Sequence, residues 1–325
     1  MGQITTSDLN ALIIKFKDKS LAGAIYHDKY PSALAQSGPS CGVYSLKWAI
    51  DYRALKTGVK GEIIPARARD VCANCGIQLR GGIDDYDGLK KDSFECIVVA
   101  VRADGKEKKS YYCVKCKDLP DKRKLIKTMR SLAKANGLSV MGELMEPDRL
   151  LKLAQLSGFA EQASLVDVGK SKKNYEECWK ESIDKGKMAL LIYDINPQDG
   201  GPGTNAGTKA HWCTIFGYYK QKDDKEGIHL LAVHGWGGFY DWLASDLRKS
   251  IEQMKVHPGW DLRVPVTKTV KTSDGFGAGA VPPDKNSYKK GGLATIPALD
   301  TSKEKSVDVP GTDYSKVNTQ YVEFG

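Results

Sequence analysis

The sequence has no run of about 18 apolar residues, so no conventional membrane-spanning helix is expected. Its first residues have no apolar core of the secretory kind. A reducing, cytoplasmic setting is therefore expected, or delivery into a host cytoplasm if the protein is an effector. Met1-Gly2-Gln3-Ile4-Thr5-Thr6 fits the permissive myristoylation pattern, and the match is read as coincidental. No internal repeat is visible, which excludes solenoids and propellers. Aromatic residues make up 9% of the chain and form no RNA-binding motif, so the net charge of +9 is read as solvated surface. The basic stretch between Arg102 and Arg130 is included in that reading, and nucleic acid is not an expected partner.

With 325 residues, 41% of them hydrophobic, the chain can build one core plus an appended element. Four parts are expected. Residues 1–69 form the first part of a main domain and carry the nucleophile helix. Residues 70–120 are an inserted subdomain, and residues 121–268 return to the main domain. Residues 269–325, rich in Gly, Pro, Ser, Lys and Asp, read as a polar, disordered tail.

Of eight cysteines, four form two CxxC pairs, Cys72/Cys75 and Cys113/Cys116. Two such turns can grip one tetrahedral metal, and four thiolates make a closed, structural Zn²⁺ site with no position left for a reactive water. A hairpin is expected between them, with Cys96–Val101 and Ser110–Cys113 flanking the turn Ala103-Asp104-Gly105. Cys41, Cys96, Cys178 and Cys213 are scattered, which suits a reducing compartment better than a disulfide scaffold.

Gly38-Pro39-Ser40-Cys41-Gly42 runs straight into a helical pattern, with Val43, Leu46, Ala49, Ile50 and Ala54 on one stripe and Lys47, Asp51 and Arg53 facing away. A thiol at a helix N-terminus lies beside unpaired N–H groups, where the helix dipole favours thiolate. Gln36, five positions earlier, can offer an amide to a developing oxyanion. His211 opens an apolar strand expected over Trp212–Tyr219, and so supplies a base. Met188–Tyr193 and Ile228–His234 read as further strands. Helices are expected over 121–135, over 142–156 and over Asp241–Met254. For the group that orients His211, His234 in Val233-His234-Gly235-Trp236-Gly237 ranks narrowly ahead of Asp241, with Asp194 third.

Four blocks together resemble the actin maturation protease-like family, a papain-like branch related to bacteriocin-processing peptidases. They are Gln36-Ser37-Gly38-Pro39-Ser40-Cys41-Gly42, Gly142-Glu143-Leu144-Met145, Leu190-Leu191-Ile192-Tyr193-Asp194 and Lys209-Ala210-His211-Trp212. The resemblance covers roughly residues 30–255. It implies an α+β, papain-like cysteine peptidase fold, with a central helix packed on an antiparallel sheet; the zinc-ribbon-like element expected over 70–120 is extra to the family pattern. It also implies a thiol protease or aminopeptidase that trims an N-terminal residue from actin or another protein, with Cys41 and His211 as the catalytic pair. Two other readings compete. The same pair could serve an acyltransferase or deamidase, as in an effector or toxin. The chain could also be a non-catalytic zinc-ribbon binding protein.

Overall fold

The computed structural model describes residues 2–36, 39–58, 94–101, 107–113, 129–140, 142–221, 227–257, 259–271 and 295–325. For 94–101, 107–113, 260–271 and 295–308 only the backbone is described. Cys72, Cys75 and Cys116 lie outside the described residues, and Cys113 is placed by its backbone alone.

The elements run β1 (Gln3–Ile4), α1 (Thr6–Lys17), β2 (Ala22–Ile25), α2 (Cys41–Thr57), β3 (Phe94–Val101), β4 (Glu107–Cys113), α3 (Met129–Ala135), α4 (Pro147–Leu156), β5 (Ala163–Asp167), α5 (Tyr175–Asp184), β6 (Met188–Asp194), β7 (Ala210–Lys220), β8 (His229–His234), β9 (Gly238–Leu243), α6 (Ala244–Glu252), β10 (Val256–His257), β11 (Trp260–Lys271), β12 (Thr295–Val309), β13 (Thr312–Asp313) and β14 (Gln320–Phe324). One antiparallel sheet dominates, in the order β1-β9-β8-β7-β6-β14-β5, with β2 added along the second half of β7. The architecture is α+β.

Both faces of the sheet are covered, which is why its central strands read as unbroken apolar runs. Strand alternation divides them. Leu190 and Ile192 of β6, Trp212 and Phe216 of β7, and Leu231 and Val233 of β8 pack with α1, α2 and α4. Ala189, Leu191 and Tyr193, then Cys213 and Ile215, then Leu230 and Ala232 pack with α5 and α6. A bulge in β7 between Ile215 and Gly217 shifts the alternation, so Tyr218 joins the second face and Tyr219 the first.

Helix α2 is buried almost all round over Gly42–Ile50. Lys47, expected to face away, is buried and pairs with Asp51 one turn on. Gly58 ends the helix in the left-handed conformation at φ 68°. Helix α1 starts from a capping box between Thr5 and Asp8.

Three further expectations are corrected. The tail does not remain apart from the fold. Strand β14 inserts between β5 and β6, and Val322 and Phe324 are fully buried. Pairing on both edges and burial on both faces offset the polar composition around this short segment. The helix expected from residue 142 begins only at Pro147, a residue suited to a first turn, and 142–146 form a loop. Asp241 lies on strand β9 and not in a helix, because Phe239, Tyr240 and Trp242 alternate across the sheet. The β3–β4 hairpin is present, in the register Phe94–Cys113.

Candidate active site

Cys41 is the first residue of α2, and His211 is the second of β7. Together they line one cleft, with Pro39, Glu143, Met145, Ile192 and Tyr314 among its other walls. Strand β8 stops pairing with β7 at Cys213–His234, whereas β6 continues to Ala210. Where β8 has left, the helix N-terminus comes in. The backbone N–H groups of Trp212, Gly42 and Cys41 favour the Cys41 thiolate. Burial outweighs them and pushes the thiol up to about 11.

Gly42 allows a close approach here. A Cβ there would sit 3.0 Å from the Trp212 indole and 3.2 Å from Leu144 Cβ. The same indole donates from Nε1 to the Leu144 carbonyl at 2.5 Å, tying the 142–146 loop to β7. Glu143, in that loop, is buried and accepts the Val140 N–H.

His211 is 6% exposed, and its Nε2 has no hydrogen-bond partner among the described residues. Burial pulls its pKa down to about 3. Thiol and imidazole are therefore both neutral near pH 7. His234 stands edge-on to His211, with ring centroids 5.0 Å apart and planes at 88°. It stacks on Tyr240 at 4.1 Å, and its Nδ1 accepts the Trp236 N–H at 3.4 Å. Burial, and then the neighbouring His211, hold His234 well below the usual imidazole value, while the Gly200 backbone works the other way. Trp236 is 43% exposed, with its ring 6.0 Å from that of His211.

Gln36 is fixed through its backbone. Its N–H donates to the Gly235 carbonyl at 2.6 Å, and its side chain packs against Gly235, the residue after His234. It thus belongs to the loop cluster at this end of the sheet.

Asp241 does not join the site. It shares the α2 face of β9 with Phe239, whereas His234, Tyr240 and Trp242 point to the opposite face. Its carboxylate accepts from the Tyr219 hydroxyl and meets His229 Nδ1 at 3.0 Å. Asp194 is also committed elsewhere. Fully buried, it accepts N–H groups from Asn205 at 2.6 Å, Gly207 at 2.8 Å and Lys209 at 3.0 Å, and the Gln253 amide at 2.9 Å. Those bonds fix the loop that delivers His211. Among the described residues no group of three or more His, Cys, Asp or Glu is placed to hold a metal, and no helix is long and apolar enough to cross a membrane.

Glu143 and Tyr314 line the cleft without having been singled out as functional in the sequence. Glu143 lay inside a recognised block, where a helix was expected. Tyr314 lay in a segment whose composition resembles a linker, and its position follows from strand pairing.

Residues 92–219 match the family model described as actin maturation protease-like, C-terminal domain. That stretch takes in His211 and ends before His234, and Cys41 precedes it. No curated protein and no solved structure matches the chain. Residues 92–219, which contain three of the four sequence blocks, are thus similar to the C-terminal domain of the actin maturation protease-like family.

Proposed function

We propose that this chain is a cysteine peptidase with a papain-like arrangement, in which Cys41 is the nucleophile and His211 the base. The observation that carries the reading is the shared cleft. A cysteine at a helix N-terminus, its sulfur facing the Trp212 N–H, lines the same space as a buried imidazole whose Nε2 has no partner among the described residues. Both groups that acyl transfer through a thiol needs are there.

In the reaction the Cys41 sulfur bonds to the substrate carbonyl carbon as its proton passes to the His211 ring. The carbonyl oxygen takes up the negative charge. N–H groups at the start of α2, with the Gln36 amide as the second donor, stabilise it. Protonated His211 then gives its proton to the leaving amine as the C–N bond breaks, which leaves a thioester on Cys41. Water, deprotonated by His211, hydrolyses the thioester, releasing the acid and restoring the thiol. His234 is the positioning residue that holds the His211 ring edge-on.

The family's name points to an actin N-terminus or another protein N-terminus as substrate. A net charge of +9 suits an acidic chain end. Cys72, Cys75, Cys113 and Cys116 are proposed to hold a structural zinc ion apart from the chemistry, and the site of action is proposed to be a cytoplasm. Metal analysis of the native chain against a Cys72→Ser/Cys75→Ser variant tests the zinc assignment.

The test of function compares native protein with Cys41→Ala. Native protein should take up a cysteine-directed activity probe at Cys41 and create new N-termini in a proteome or peptide library. Cys41→Ala should do neither. Equal cleavage by both proteins would end the reading. Products heavier by one dalton, or crosslinks in place of fragments, would reassign the same pair to deamidation or acyl transfer.

A further inference from the structure

Tyr314 stands far along the chain from the nucleophile and outside the matched family stretch, yet it lines the same cleft as Cys41 and His211. It is 1% exposed. Its hydroxyl donates to Met145 Sδ at 3.5 Å. Its ring lies over Gly207, where an added Cβ would meet Tyr314 Cδ2 at 3.0 Å; Gly207 also has φ +93° and belongs to the loop that delivers His211. The ring is thus wedged between the two loops that shape the cleft.

Two anchors hold Tyr314 in place. On one side β13 pairs with β10, and the Tyr314 N–H donates to the Lys255 carbonyl at 2.7 Å. On the other side its carbonyl accepts from Val317 at 3.0 Å and Asn318 at 2.7 Å, and the chain then enters β14, paired along both edges. Swinging the ring out would break pairs on both sides and expose a buried aromatic. The residue is a fixed wall and not a lid.

The neighbouring walls are mainly apolar: Pro39, Leu144, Met145 and Ile192. Glu143 has an oxygen committed to the Val140 N–H. We propose that Tyr314 is a specificity-determining residue, whose ring closes the cleft beside Cys41 and restricts the group next to the attacked carbon to a small or slender apolar one. The proposal rests on Cys41 being the reactive thiol. Its test therefore reads alkylation of Cys41 and does not depend on turnover.

The full chain and the variants Tyr314→Ala, Tyr314→Leu and Tyr314→Phe are treated with 2-chloroacetamide and with N-benzyl and N-naphthylmethyl chloroacetamides, which share one reactive group. Adducts at Cys41, Cys178 and Cys213 are quantified by peptide mass spectrometry. The bulky-to-small rate ratio at Cys41 should rise at least about tenfold in Tyr314→Ala and stay within about twofold of native in Tyr314→Phe. Tyr314→Leu should fall between them, and it decides the matter if the alanine variant does not fold. An unchanged ratio in Tyr314→Ala or Tyr314→Leu would overturn the proposal. So would an equal rise at buried Cys213 and Cys178, which would mark general opening. Absence of any peptide cleavage by the native chain would instead count against the peptidase reading, and the alkylation ratio would still decide the role of Tyr314.

Discussion

Acid should unfold this protein through the imidazole at the centre of its cleft. His211 is 6% exposed and, in the folded state, burial lowers its pKa to about 3. In the unfolded chain it regains an ordinary value near 6.5. Below pH 6.5 the unfolded state therefore binds a proton that the folded state refuses. The stability contributed by neutral His211 is fully present above pH 6.5 and is lost as the pH falls toward 3. At pH 4.5 the loss amounts to roughly 3 kcal/mol, at about 1.4 kcal/mol per pH unit. Urea unfolding of native protein and His211→Asn, each at pH 7.5, 6.5, 5.5 and 4.5, reads this directly. His234 is depressed in the same direction and titrates in both proteins, so it largely drops out of the difference. The native curve should fall below its pH 7.5 value by roughly 3 kcal/mol more than the variant's at pH 4.5. Parallel curves would mean that His211 takes up its proton without hindrance, and the buried-imidazole account of the cleft would be wrong.

Phe324→Ala removes a fully buried ring from β14 and should cost about 3–5 kcal/mol in urea unfolding. A loss below about 1 kcal/mol would contradict insertion of that strand into the sheet. Asp194→Ala leaves three backbone N–H groups and the Gln253 amide without their acceptor. It should cost at least about 3 kcal/mol and, by loosening the loop before His211, lower kcat/KM more than about tenfold. Wild-type kinetics in a folded Asp194→Ala protein would refute that positioning role. Asp241→Asn should weaken the contact with His229 and lower stability by about 1 kcal/mol, while kcat/KM stays within about threefold of native. A hundredfold fall in activity would return Asp241 to the group that orients His211.

What the sequence revealed, and what it concealed, follows from the range of the interactions involved. Met188–Asp194 and His229–His234 are legible because each is a short apolar run buried on both faces. The placement of Cys41 and His211 is legible because both sit at element ends, one heading a helix and the other near the start of a strand. Gln320–Phe324 is not legible. Five residues in a polar setting carry no periodic signal, and only the gap between β5 and β6 makes them a strand. Asp241 misleads for a related reason. Adjacent aromatics and an acid look like the opening of a helix, whereas the alternation of a strand sends the acid to one face and its neighbours to the other. Tyr314 and Glu143 reach the cleft through tertiary topology, which spacing along the chain does not encode.

The ionisation of the cleft bears on how bond-making must proceed. Burial holds the thiol up and the imidazole down, so full transfer of a proton from Cys41 to His211 ahead of bond formation is disfavoured. In the proposed reaction, loss of the proton accompanies formation of the C–S bond, so that negative charge arises on the substrate oxygen and not on the partly buried sulfur. A carboxylate beside His211 would change this by stabilising imidazolium at rest. Asp194 and Asp241 are both committed elsewhere, and the group that stands edge-on to His211 is a second imidazole, itself held well below the usual imidazole value by burial. In this site the third residue can set the angle of the base but cannot store charge for it. In the proposed reaction, stabilisation of the oxyanion then falls on the backbone N–H groups at the head of α2 and on the Gln36 amide.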